Sequence, residues 1–199
     1  MPTIDRYAEA DMPTARGPFR LVVYRAGGDE HVAMVRGDVF GADRVLVRVH
    51  SECLTGETLG SLRCDCRAQL ETALDRIAGE EQGILVYMRQ EGRGIGLGNK
   101  VRAYALQDQG IDTVDANLAL GFEADLRTYE IAAAILKDLG VRSVRLMTNN
   151  PDKVRGLEQA GVVVAEQVPH WVDTTEYSRA YVEAKKTRLG HIDGDTESK

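Results

Sequence analysis

Nothing in the chain approaches the roughly 20 uninterrupted apolar residues that a membrane-spanning helix needs, because charges break every apolar run. The opening stretch, MPTIDRYAEADMPTARG, carries acids early and holds no apolar core of the kind that directs export. Excess positive charge is missing too. A formal net charge of −6 over 199 residues is the wrong balance for a protein whose main partner is a nucleic-acid backbone. Cysteine is scarce: three thiols, all within CLTGETLGSLRCDC between Cys53 and Cys66. The expected setting is cytoplasmic, with no membrane or nucleic-acid partner. In that reducing compartment an odd number of thiols argues against a disulfide framework and for metal binding or catalysis.

What is present suffices for a packed core, since 43% of the residues are hydrophobic. Neither an internal repeat nor a low-complexity linker divides the chain, so one domain is expected over residues 1–190. The polar end, HIDGDTESK at 191–199, has no apolar anchor and reads as a disordered tail. Valine-rich FRLVVYRA, EHVAMVRGDVF and RVLVRVH, broken by Gly-Gly and Gly-Ala, predict a meander of antiparallel strands. Beyond Gly60 the period changes: Leu70, Ala73, Leu74 and Ile77 fall on one helical face, and Gly79 marks its stop. GILVYM, NKVRAYALQDQG, TYEIAAAILKDLG, SVRLMT, KVRGLEQAG, VVVAEQV and a last helix from TTEYSRAYVEAKKTRLG then alternate strand-like and helix-like segments. The predicted class is α/β (α+β): a mixed sheet with an antiparallel N-terminal part and flanking helices.

Cys64 and Cys66 converge on one ion only if the backbone turns between them, and Asp65 tolerates such turns. Sulfur donors favour zinc over magnesium or calcium. Three ligands leave a coordination position open, the mark of a catalytic site. A closed structural site with His50 as fourth ligand, or three inert buried thiols, are the alternatives. Zinc with three thiolates is net −1, so a neighbouring group must assist any attack on substrate.

Alternation along RVLVRVHSEC sends Val45, Val47 and Val49 one way and Arg48, His50 and Glu52 the other, straight into the first thiol. This is either a ligand-facing surface or an edge strand with a solvated face. EGRGIGLGNK fits neither dinucleotide nor P-loop spacing, but it offers backbone for close approach, flanked by Arg89, Arg93 and Lys100. LMTNNPDKV ends a strand at Thr148, turns at Asn149 and Asn150, and starts a helix at Pro151 with Lys153 in its first turn, a geometry suited to an anion. A plain Asn-capped connection is the alternative. In GFEADLRTYEIAAAILKDLG, Ile131, Ile135 and Leu139 form an apolar stripe; Asp125 or Thr128 is a helix cap, or Asp125 and Arg127 supply a base and a phosphate-binding cation side by side.

In order, RVHSEC, GSLRCDCRAQLE, RQEGRGIGLGNKVRAYALQDQGIDT, DLRTYEIAA and TNNPDKV resemble GTP cyclohydrolase II, over roughly residues 10 to 190. The resemblance implies Cys53, Cys64 and Cys66 as ligands of one Zn²⁺ per subunit. It implies GTP binding by Arg48, Val49, His50, Ser51, Glu52, Gln69, Glu91, Gly92, Arg93, Thr113, Thr148 and Lys153. Asp125 would be the proton acceptor, Arg127 the nucleophile toward the α-phosphate, and Tyr104 a positioner of water or purine. Mg²⁺ on the triphosphate and a homodimer are implied as well. An arginine pKa above about 12 makes a free side chain a poor nucleophile, so a purely electrostatic Arg127 stays open. The implied reaction opens the guanine imidazole ring and releases formate and pyrophosphate; a homologue that keeps the formyl group and a zinc-stabilised nucleotide-binding regulator are the alternatives.

Overall fold

A computed structural model describes residues 2–123, 125–179, 182–183, 187–188 and 190–191. Residues 192–199, nearly all of the expected tail, and part of the expected last helix lie outside them.

Seven strands form one sheet in the order β1-β2-β3-β5-β4-β6-β7. The strands β1 (Asp5–Thr14), β2 (Gly17–Ala26) and β3 (Asp29–Arg36) make the antiparallel meander. The third valine-rich stretch, β4 (Val45–Ser51), does not join it, which corrects the expected meander. Instead β5 (Gly83–Met88) lies between β3 and β4, antiparallel to the first and parallel to the second. The chain from β4 to β5 runs through the helix Cys66–Ala78, and only a crossover of that length lets two strands pair in parallel. On the other flank β6 (Val144–Met147) pairs parallel with β4, and β7 (Val164–Val168) pairs parallel with β6.

β4 is therefore a central strand, buried at every position from Val45 to His50. Parallel strands are covered on both faces. Val45, Val47 and Val49 pack with Ile135 and Leu136 of the helix Glu130–Asp138 and with Leu157 of the helix Pro151–Gln159. Leu46, on the opposite face, packs with Ala73 and Ile77 of Cys66–Ala78, whose Leu70 and Leu74 lie against the same cluster. The period read from sequence thus coincides with the buried stripe. Ile135 is wholly buried, so Ile135→Ala is expected to cost about 2–5 kcal/mol. That would appear as a lower urea midpoint at unchanged m value; an unmoved midpoint would refute the packing.

The helices are numbered α1 (Leu54–Glu57), α2 (Cys66–Ala78), α3 (Gly96–Gln107), α4 (Thr113–Ala119), α5 (Glu130–Asp138) and α6 (Pro151–Gln159). With α2 on one face and α5 and α6 on the other, β4 is the strand from which parallel pairing runs both ways. In open α/β sheets the crevice beyond the carboxyl ends of such strands is where ligands bind. Here it receives the segments after Ser51, Met88 and Met147.

Candidate metal centre and adjoining cavities

Each candidate group reaches the crevice through a strand end. β4 runs into Cys53, and α1 follows at once. The other two thiols flank the start of α2: Asp65 (φ −96°, ψ 8°) makes the turn, and Cys66 is the first helical residue. The three sulfurs lie within 4.8 Å of one another, the one such cluster of metal-binding groups among the described residues. Gly56 sits beneath them; a Cβ there would lie 2.7 Å from Cys64 Sγ and 3.2 Å from Cys53 Sγ. Only a residue without a side chain allows the thiols to close up.

His50 takes no part in the cluster. Its Nε2 is 2.7 Å from Glu57 Oε1, and Tyr87 donates its hydroxyl to the other oxygen of the same carboxylate at 2.5 Å. The Tyr87 and His50 rings stack with centroids 5.8 Å apart. Burial holds His50 below the usual histidine range, opposed by Glu57, so the ring is neutral and Nε2 is its donor. The closed zinc site with a histidine ligand is thereby replaced by a site of three sulfurs.

Hydrogen bonds with Cys64 and Cys66, and one from Lys100, draw the Cys53 thiol far below its ordinary value. Cys64 is pushed up to about 11, chiefly by its bond to Cys53. The cluster favours a thiolate at Cys53, the form that binds metal. Three soft donors at this spacing fit zinc.

A cavity of about 590 Å³ opens over the sulfurs, lined by Cys53, Cys64, Glu52, Gly92 and Tyr104 among others. The Tyr104 hydroxyl is 3.4 Å from Thr55 Oγ1, and the Arg63 guanidinium lies 5.0 Å from its ring centroid. A second cavity of about 600 Å³ is lined by Arg48, His50, Gln69, Thr148, Asn150 and Lys153. Ser51, Cys66, Arg93 and Arg127 line both cavities and so form the wall between them.

The second cavity is cationic. Arg48 donates to the Met147 carbonyl (2.8 Å) and to Gln69 Oε1 (2.6 Å), while Gln69 donates to Asp65 (2.7 Å). Burial pulls Arg48 down to about 10, which leaves it charged at neutral pH. Its Nε and the Ser51 Oγ are buried without a hydrogen-bond partner, a costly state that a ligand would relieve. Lys153 donates to the Val49 carbonyl at 2.7 Å. Asn150 caps α6 by accepting from the Asp152 N–H at 2.9 Å, with Pro151 at the first helical position, as the turn chemistry predicts.

The glycine-rich turn and the Asp125 segment are bound together. Gly92 and Arg93 both adopt left-handed backbone, φ 63° and 60°, and the Leu126 N–H donates to the Arg93 carbonyl at 3.0 Å. Neither Asp125 nor Thr128 caps α5, whose cap position is Tyr129. Asp125 instead takes Arg127 in a bidentate ion pair, one arm of it from Nε at 2.9 Å. Burial opposes the Asp125 charge, but Arg127 outweighs it and keeps the carboxyl below its usual range. Of the cations flanking the glycine turn, Arg93 faces the cavities; Arg89 pairs with Glu52 at 2.9 Å, and Lys100 turns to Cys53. Glu91 accepts from the backbone N–H groups of Leu54 (2.7 Å) and Gly92 (2.8 Å). Thr113 lies outside the residues whose side chains are described.

Sequence reasoning did not single out Glu57, Tyr87 or His170, and it read Asn149 only as a turn residue. Asn149 joins the ends of β6 and β7 by exchanging hydrogen bonds with the His170 backbone at 2.8 and 2.9 Å. His170 sits at the floor of the second cavity with Nε2 2.9 Å from the Gln69 carbonyl. Glu57 alone left a signal, one helical turn beyond Cys53.

Fold and site define a mixed α/β protein with a three-sulfur cluster that could hold a metal ion, beside a cationic cavity. The chain belongs to the GTP cyclohydrolase II family, whose pattern it matches over residues 5–169. It is 54% identical over 192 residues to the riboflavin biosynthesis protein RibBA of Bacillus subtilis (strain 168), covering 95% of this chain and 48% of that protein. RibBA of Chlorobium phaeovibrioides is 54% identical over 191 residues, with 95% and 47% covered. The chain thus spans about half the length of these relatives. GTP cyclohydrolase-2 of Haemophilus influenzae (strain PittGG) is 52% identical over 194 residues, covering 96% of this chain and 90% of that protein.

Proposed function

We propose that this protein hydrolyses GTP in a zinc-dependent reaction at C8 of guanine, opening the imidazole ring. Formate and pyrophosphate leave, and 2,5-diamino-6-(5-phosphoribosylamino)pyrimidin-4(3H)-one remains, the first committed step of riboflavin biosynthesis. The single observation that carries this reading is the shared wall: the cavity over the sulfurs and the cationic cavity have Ser51, Cys66, Arg93 and Arg127 in common. A nucleotide lying across that wall has its base at the sulfurs and its phosphates among Arg48, Arg93, Arg127 and Lys153.

Cys53, Cys64 and Cys66 would hold the zinc, which when bound supplies Lewis acidity toward water and the purine. Tyr104 helps to position the reacting water or the purine. Val49 contributes a carbonyl that anchors Lys153, and Gln69 orients Arg48; His50, Glu52, Gly92, Thr113 and Thr148 complete the nucleotide contacts implied by the family. Arg127 acts as a cation, since an arginine stays protonated. As the structure stands its partner is Asp125, which is a weak base while so paired. Phosphate entering the second cavity competes for Arg127, and the release of Asp125 makes its carboxylate available to take a proton. Substrate binding and base activation are in this way one event.

Mg²⁺ enters with the triphosphate. The reading includes a cytoplasmic homodimer whose catalytic unit spans residues 1–190. No helix among the described residues is long and apolar enough to cross a membrane.

The test is incubation of purified protein with GTP, Zn²⁺ and Mg²⁺, with formate assayed and the product weighed by mass spectrometry. Formate with a diaminopyrimidinone product is expected. Absence of any GTP turnover with metal present rejects the proposal, and a product that retains the formyl group replaces it with the shorter reaction.

A further inference from the structure

We propose that Lys100 acts on the bound metal through Cys53, withdrawing electron density from that sulfur and so raising the electrophilicity of a three-sulfur centre. This rests on the metal reading above. It also answers the charge problem raised by the sequence: three thiolates around a divalent ion leave net −1, which weakens the ion as a Lewis acid.

The geometry is specific. Lys100 Nζ lies 3.0 Å from Cys53 Sγ and 2.7 Å from Glu91 Oε1. The side chains of Lys100 and Glu91 retain only 13% and 10% of their exposure. A lysine in the first turns of a surface helix ordinarily leaves its ammonium in water, yet this one is drawn inward to a ligand sulfur. The left-handed pair Gly92 and Arg93 turns the chain just ahead of α3, from which Lys100 reaches the sulfur that precedes α1. A Cβ on Gly92 would lie 3.1 Å from Lys100 Cβ, so the glycine leaves the lysine its channel. Glu91 supplies the balancing negative charge on the far side of the ammonium, where the Leu54 and Gly92 N–H groups share it. The cation consequently bridges carboxylate and sulfur, within hydrogen-bond distance of both. Partners held against metal ligands in this way commonly change affinity or activity by about 10–100-fold when removed.

A merely structural Lys100, clamping the glycine turn to α1, predicts something different. The discriminating probe is cobalt(II) in place of zinc, read by its sulfur-to-metal charge-transfer band. An N–H donor lowers the energy of the sulfur lone pairs, so Lys100→Met is expected to move the band to longer wavelength. With zinc, the same variant should lose about tenfold in kcat with KM for GTP little changed. Lys100→Arg keeps a cation and an N–H donor and should return the band toward its original position. Loss of cobalt binding by K100M with normal binding by K100R would support the same role. A K100M band coincident with that of the unmodified protein overturns the proposal. A protein that shows the band shift but never turns over GTP would keep Lys100 in this role and overturn the catalytic reading alone.

Discussion

Serine in place of Cys66 is expected to leave a folded protein that neither retains zinc nor releases formate. A hydroxyl is a poor replacement for a thiolate as a ligand to a soft ion, and two remaining sulfurs do not make a zinc site. Cys66 is half-buried at the first position of α2 and contributes nothing to either apolar cluster, so the fold should survive. Formate release should fall at least ~10³-fold, the scale of losing the Lewis acid of a hydrolytic reaction. Elemental analysis of purified C66S, its circular dichroism and a formate assay make the test. A variant with full zinc and full rate would remove Cys66 from the metal and the proposed chemistry with it.

Arg127→Ala should separate chemistry from metal binding. Zinc content is expected to stay that of the unmodified protein, because an arginine is no zinc ligand and Arg127 pairs with Asp125. The kcat should drop by about 10²–10³, the usual result of removing a group aimed at developing charge. Lysine at this position should restore little, since a point charge does not reproduce the bidentate grip on carboxylate or phosphate. The variant also carries a pH signature. Arg127 holds the Asp125 carboxyl below its ordinary range, so without it that pKa rises. A base works only when deprotonated; the acid limb of kcat/KM, which reports the free enzyme where the pair exists, should therefore move to higher pH in R127A. An acid limb that stays in place would free Asp125 from its role as proton acceptor. A nucleotide-binding regulator with a structural zinc would show no change of function at all.

Legibility in the sequence followed the range of the interactions. The period of Leu70, Ala73, Leu74 and Ile77 was enough to place α2, and the Asn-Pro turn enough to place α6, because both are decided within a few residues. β1 escaped notice because its first seven residues are exposed in one unbroken run; a strand with little to bury leaves no alternation. β4 was seen as a strand but given the wrong neighbours. Which strands flank it depends on the crossover through α2, and no local pattern records that. In the site, the thiols and the anion turn carry their chemistry in their own spacing. Lys100 was noted only as a cation beside a glycine turn, since the sulfur it serves is 47 residues away. Glu57 and Tyr87 were passed over for a similar reason: a buried carboxylate shared by a histidine and a tyrosine is visible only once the sheet is assembled.

One strand in the middle of that sheet reaches both cavities. Arg48 and His50 stand on β4 in the cationic cavity, and the first thiol follows two residues after its end. β4 is hydrogen-bonded on both sides, to β5 and β6, and cannot lengthen or slide. It serves as a ruler. The gap between the place for a reacting ring and the place for a phosphate tail is set by the rise of a few extended residues, so a nucleotide with its base and phosphates held at another spacing would satisfy one end and miss the other.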